Sequence, residues 1–140
     1  MKKKKSEDVY RIITPQAARE ELFIRKNIDN PLVNRVKEYI ENNYSEEISL
    51  NKISKAVHVS HCHIAHLFRE YVGATVGEYI NIYRLVYAAE LLEKTDYPIK
   101  DIRIMSGFRN DSYFCVCFLK YFGMSAREYR RAHPGSIENC

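Results

Sequence analysis

Four of the five histidines and one of the four cysteines fall within nine residues: His58, His61, Cys62, His63 and His66. Imidazole nitrogens and thiolates are the ligands that zinc and copper prefer. On a helix, Cys62 and His66 stand at i, i+4 and can share one ion, with His58 just ahead of the helix start. No second cysteine lies near them in sequence. Cys115 and Cys117 face opposite sides of their own segment, and Cys140 ends the chain. A metal or thiol sensor built on His58, Cys62 and His66 is therefore the alternative reading, and no metal or other cofactor is expected. The chain carries no GxSxG, P-loop, HExxH or dinucleotide fingerprint, and histidines on one helix need a pocket and a partner base before they catalyse. No enzyme is expected.

The elements that position these residues read as helices almost throughout. Asn30-Pro31 looks like an N-cap and first helical residue, followed by an apolar face of Leu32, Val36, Tyr39 and Ile40. Residues 1–30 form a basic tail, Lys2 to Lys5, and a short helical or disordered extension over Thr14 to Ile24. From residue 49 the chain repeats itself. A shift of fifty lays Phe68, Tyr71, Gly73, Glu78 and Tyr79 on Phe118, Tyr121, Gly123, Glu128 and Tyr129. Ile64, Leu67, Phe68 and Tyr71 fall on Phe114, Cys117, Phe118 and Tyr121, and both sets have the spacing of one buried helix face. His63 projects to the side and should be partly packed. Each copy reads as short helix, tight turn, second helix: one over 49–73, capped at Ser49 and Ser60, the other over 98–123. In the second, Pro98 opens the first helix, Gly107-Phe108 turns, and Asn110 or Asp111 caps. Thr75-Val-Gly-Glu78 and Ser125-Ala-Arg-Glu128 are capping boxes at matching places. The first opens a long helix through about Lys94, with Tyr79, Ile80, Tyr83, Val86, Tyr87 and Leu91 as its apolar side. The fold class is all-α: two helix-turn-helix subdomains joined by a long connecting helix, about seven helices, with residues 132–140 as a tail.

A helix, tight turn and capped second helix is the frame that lays a helix in a DNA major groove. A connecting helix of about 18 residues spans ~27 Å at 1.5 Å per residue. That is close to the ~34 Å between same-face grooves. The residues also carry a resemblance. Leu50-Asn-Lys-Ile53, Val59-Ser60, Ile64, Leu67-Phe68-Arg69, Gly73 and Glu78-Tyr79 resemble the first half of the AraC/XylS family DNA-binding domain. Arg84-Leu85, Ala88, Leu91-Leu92, Ile99, Ile102, Gly107-Phe108, Ser112-Tyr113-Phe114, Phe118, Phe122-Gly123 and Glu128-Tyr129-Arg130 resemble the second. The match runs over 31–131. It implies a seven-helix, bilobed domain that recognises double-stranded promoter DNA and usually activates transcription. RNA polymerase is then a further partner, the location cytoplasmic, and no membrane is involved. The segment is expected to act as a monomer, with dimerisation open to a longer chain. Thirty residues cannot hold a sensor domain, so the chain reads as a short regulator or as the C-terminal piece of a longer one. The sequence departs from the family at His66, where arginine is common, and at Val116, where arginine or lysine is. Ala126 stands for a usual proline, and Arg103 and Ser106 for small or apolar residues.

With the buried faces fixed, the first recognition helix (60–71) turns His61, Cys62, Ala65, His66 and Arg69 outward. The second (110–122) turns out Asp111, Ser112, Cys115, Val116 and Leu119. The base-facing candidates are His61, Cys62, Ala65, His66, Asp111, Ser112, Cys115 and Val116. His66 can donate to guanine, Asp111 can accept from cytosine N4 unless it is an N-cap, and Ala65, Cys115 and Val116 can meet thymine methyls. The phosphate candidates are Lys52, Ser60, Arg69, Arg84, Arg109, Asn110 and Lys120. Arg84 has a second reading, as an internal pair holding the connecting helix. A protein-interaction module is the other competing reading. The net charge of +4 is wholly that of Lys2 to Lys5. Resolved by segment, the rest is polarised: residues 49–75 carry +2, residues 98–133 carry +4, and the remainder −6. That is the pattern of two DNA-reading units on an acidic frame.

Overall fold

Asn30 and Pro31 open the described chain as their types require. In the computed structural model, which describes residues 30–133, the Val33 amide donates to the Asn30 side chain at 3.1 Å and Pro31 begins helix α1, Pro31–Asn43. The extension before residue 30, including Thr14 to Ile24, and the tail after 133 lie outside the described residues. Six more helices follow: α2 Leu50–Val57, α3 His61–Val72, α4 Val76–Lys94, α5 Ile99–Met105, α6 Asp111–Phe122 and α7 Ala126–Ala132. There is no strand among the described residues, and no helix there is long and apolar enough to cross a membrane.

The caps fall where hydroxyl and amide side chains stand in the sequence. Ser49, Ser60, Thr75, Asn110 and Ser125 each accept from the backbone amide three residues on. Both capping boxes are complete: Glu78 accepts from the Thr75 amide at 2.8 Å and Glu128 from that of Ser125 at 2.8 Å. The choice left open at the start of α6 falls to Asn110; Asp111 is the first helical residue. The turn between α2 and α3 puts His58 at φ 62°, the one non-glycine residue with positive φ among those described. The equivalent turn between α5 and α6 puts Gly107 at φ 99°.

Two cores result, and α4 belongs to both. The first gathers Val33, Val36 and Ile40 of α1, Ile53 and Val57 of α2, Ile64, Phe68 and Val72 of α3, and Val76, Tyr79 and Ile80 of α4. The second gathers Ile82, Leu85, Val86, Ala88, Ala89 and Leu92 of α4 with Ile102, Phe108, Phe114, Phe118, Phe122 and Tyr129. An apolar side of Tyr79, Ile80, Tyr83, Val86, Tyr87 and Leu91 was expected for α4. Tyr83, Tyr87 and Leu91 are only half-buried, while Leu85, Ala88 and Leu92 are sealed. The correction has a physical cause: two cores approach α4 from different sides, so no single stripe describes it. Leu67 and Tyr71 are likewise half-buried, with Val72 closing α3 instead.

Packing and the His58 backbone set the expected stability of three variants. Phe118 is fully buried, with ring contacts to Phe114, Phe122 and Tyr129. Phe118→Ala should cost about 3–5 kcal/mol. Leu119→Ala, one position on and exposed, should change stability by no more than about 0.5 kcal/mol. His58→Gly should raise stability by about 0.5–1 kcal/mol, because the left-handed conformation disfavours a Cβ. Urea unfolding of the three variants measures all of this.

Candidate nucleic-acid interface

Helices α3 and α6 occupy the same place in the two units, each the second helix after a tight turn. On α3, His61, Cys62, Ala65, His66 and Arg69 are all exposed. On α6, Asp111, Ser112, Cys115, Val116 and Leu119 are all exposed. The side chains expected to face outward on each helix therefore do so. His63 is exposed rather than partly packed, and joins the α3 set. At the first turn of a helix, a side chain has no preceding turn to lie against.

Partners distinguish members of these sets. His61 Nε2 lies 2.8 Å from Asn51 Oδ1, which ties the start of α3 to α2. His66 Nε2 lies 3.5 Å from Glu70 Oε1, one turn along. Two imidazoles of the cluster are thus engaged with different neighbours. Among the described residues no group of three histidine, cysteine, aspartate or glutamate side chains could hold a metal ion. The metal alternative on His58, Cys62 and His66 finds no assembled site there.

Asp111 is exposed and its Oδ1 lies 3.7 Å from Arg103 Nε. Arg103 also donates through Nη1 to the Phe108 carbonyl at 2.8 Å. The buried Ser106 hydroxyl donates to the Ile102 carbonyl at 2.8 Å. Arg103 and Ser106, unusual by family pattern, therefore build the turn that aims α6. The α6 face is apolar at its centre: Tyr113, Val116 and Leu119 are 51%, 63% and 53% exposed. The Tyr113 hydroxyl accepts from Asn81 Nδ2 of α4 at 2.8 Å.

The cationic candidates divide into two groups. Lys52, Arg69, Arg109 and Lys120 are exposed, as are the capping residues Ser60 and Asn110. Lys52 Nζ donates to the Glu47 carbonyl at 3.1 Å, a solvent-exposed contact. Arg84 is different. It is half-buried, with Nε donating to the Tyr44 carbonyl and Nη2 to the Glu46 carbonyl, both at 2.8 Å. Burial first, and the nearby Arg109 charge second, lower its pKa. The internal reading of Arg84 is the one the geometry supports, and it leaves the phosphate set. Asn51 and Asn81 join the surface through contacts across helices, to His61 and Tyr113, which no local spacing signals. Tyr113, which the fifty-residue repeat lays on His63, joins it beside them.

Comparison with known proteins agrees with this geometry. A helix-turn-helix domain family matches residues 53–132. The chain is 31% identical over 116 residues to the lactose operon transcription activator of Staphylococcus xylosus, covering 83% of this chain and 41% of that protein. It is 32% identical over 93 residues to the melibiose operon regulatory protein of Escherichia coli K12, covering 66% of this chain and 31% of that one. A solved transcriptional regulator from Chromobacterium violaceum, described as containing an AraC-type DNA-binding domain, superposes with a TM-score of 0.69 at 28% identity. The match covers 74% of this chain and 92% of that one. This chain belongs to the AraC/XylS family of transcription regulators. It spans about two fifths or less of the curated relatives' length.

Against the AraC/XylS pattern, Ala126 needs no compensation. It is the first residue of α7, where either proline or alanine suits the helix. His66 and Val116 are surface substitutions that leave the fold untouched and change what each recognition helix offers to a ligand.

Thiol chemistry tests the exposed faces directly. Cys62 and Cys115 are exposed, while Cys117 is buried and burial pushes its thiol up. Since the thiolate is the reactive form, iodoacetamide on the native protein should label Cys62 and Cys115. Cys117 should react only after unfolding. Peptide mass spectrometry across a time course reads the order.

Proposed function

We propose that this chain is a sequence-specific DNA-binding unit of a transcription regulator, inserting α3 and α6 into successive major-groove segments of promoter DNA. The carrying observation is the pairing of two capped, outward-facing second helices on one 19-residue connector. At 1.5 Å per residue, α4 is about 28 Å long. That is within loop reach of the ~34 Å between same-face grooves. One chain can then read two boxes without a partner subunit. His61, Cys62, Ala65 and His66 face one set of bases, and Asp111, Ser112, Cys115 and Val116 the other. Lys52, Ser60, Arg69, Arg109, Asn110 and Lys120 are the phosphate contacts. A promoter reader of this kind works in the cytoplasm. The name of the Staphylococcus relative supports activation as the outcome; contact with RNA polymerase is the proposed route.

The two helices should read unequally. No cation stands at Asp111, Ser112, Cys115, Val116 or Leu119, and the apolar centre of α6 suits thymine methyls. Selection from random duplexes should return two boxes about one helical turn apart on one side of the duplex. Replacing thymine by uracil in the α6 box should weaken binding more than the same change in the α3 box. Equal losses of about 1–3 kcal/mol for base changes in both boxes would contradict the asymmetry. Affinity should also drop steeply between about 50 and 200 mM salt. A flat salt response, or no shifted duplex, would favour a protein-interaction module instead. Bound cognate duplex should slow the alkylation of Cys62 and Cys115 together.

A further inference from the structure

The turn of the second unit and the loop after α1 in the first approach more closely than side chains allow. A Cβ on Gly107 would stand 2.4 Å from the Tyr44 carbonyl oxygen, 2.8 Å from Arg84 Nε and 3.2 Å from Ser45 Cα. Positive φ explains a glycine here, but not why the backbone of one unit is pressed onto that of the other. Arg84 fills the junction. It projects from α4, donates to Tyr44 and Glu46 on the first unit's loop, and lies 6.0 Å from the Phe108 ring of the second unit's turn. The loop is also held by rings, with Tyr44 packed 5.3 Å from Tyr83 and 5.0 Å from Tyr87 on either side of Arg84 in sequence. Beside it opens a cleft of about 200 Å³, lined by Glu47, Ile48, Arg84, Phe108, Arg109 and Tyr113 among others.

We propose that Arg84, with Gly107 and the Tyr44 carbonyl, is a clamp that fixes the relative orientation of the two recognition helices and so selects the spacing of the two DNA boxes. The DNA half of this inference rests on the two-box reading above; the clamp itself does not. A planar guanidinium suits the task because its two donors diverge at a fixed angle onto two carbonyls. Rotation of the second unit together with α4 against the first unit's loop must break both bonds or carry the loop along. The lever is long. Over the ~28 Å length of α4, a turn of about 7° displaces a head by about 3.4 Å, the rise of one base pair. Arg84 is thus a positioning residue for DNA reading and touches no base itself.

Two measurements separate this role from general stability. Nitroxide labels on the native, exposed Cys62 and Cys115, in a Cys140→Ser background, place one probe on each recognition helix. Pulsed electron-spin distance measurement on the DNA-free protein should give one narrow distribution for the parent. Arg84→Met should broaden it while the far-UV helix signal is kept. Should the methionine variant unfold, Arg84→Lys carries the test, because it keeps charge and length but replaces the two-donor fork with a single ammonium. A distribution as narrow as the parent's in the folded variant overturns the clamp.

On DNA, the parent should select two boxes at one spacing. Arg84→Met should select the same two box sequences with spacings shifted by about one base pair in either direction. Its affinity for the parent's two-box duplex should fall on the order of tenfold, as rigid linkage is lost. Affinity for duplexes with one box scrambled should stay the same. A variant that keeps the parent's single spacing overturns the inference. A parent that selects no pair of boxes overturns the two-box reading and the spacing claim, while the distance measurement still decides the clamp.

Discussion

Everything that faces outward in this molecule depends on α4 being buried from two directions. An amphipathic surface helix has one apolar stripe and leaves its other side to water. Helix α4 gives Val76, Tyr79 and Ile80 to the first core, then Ile82, Leu85, Val86, Ala88, Ala89 and Leu92 to the second. Small residues at Ala88 and Ala89 let the second unit approach closely, and both are fully sealed. A helix buried from two sides carries both units on one rod, so the separation of α3 and α6 does not depend on a flexible linker. The angle of one unit to the other about that rod is what the proposed Arg84 clamp holds.

The two cores are built differently, and the difference bears on the surface. The second is a run of aromatic rings: Phe108 on Phe114, Phe114 on Phe118, Phe118 on Phe122, with Tyr129 edge-on to Phe118. Such rings bury much area per residue, and they seat α6 firmly. The Tyr129 hydroxyl reaches out of the same cluster to donate to Glu93 of α4. The first core is mostly aliphatic, with Phe68 edge-on to Tyr79 and the buried Lys37 amine 5.9 Å from the Tyr79 ring. Helix α3 is tied to α2 by the His61–Asn51 pair, as α6 is tied to α4 by the Asn81–Tyr113 bond.

What the sequence made legible was local. N-caps, capping boxes and the glycine at a turn are decided within four residues, and Ser49, Ser60, Thr75, Ser125 and Gly107 all act as read. The fifty-residue repeat exposed the buried faces of α3 and α6, hence also their outward faces. Periodicity failed on α4 because two cores superpose two phases on one helix. It also leaves two readings of Arg84 open, a phosphate clamp and an internal pair, because its partners Tyr44 and Glu46 are forty and thirty-eight residues away. Only those carbonyl partners decide for the internal one. Asn51 and Asn81 were hidden for the same reason.

The charge pattern takes on a different meaning once burial is known. Removing Arg84 and Arg103 from the free cations, since both spend donors on backbone carbonyls, leaves Arg109 and Lys120 near the two ends of α6 and an apolar centre between them. On α3 the centre is imidazole and thiol, with Arg69 toward the end. Cations at the ends of a groove-bound helix grip phosphates and fix its register without reading sequence. The centre then decides which bases are accepted. An apolar centre gains by shedding water against methyl groups and loses little elsewhere, whereas a polar centre must find hydrogen-bond partners or bear their absence. On the proposed reading, α3 would discriminate by penalty and α6 by fit. A regulator that separates grip from reading in this way can change its target at Val116 or His66 while the fold, held by α4 and the aromatic core, stays as it is.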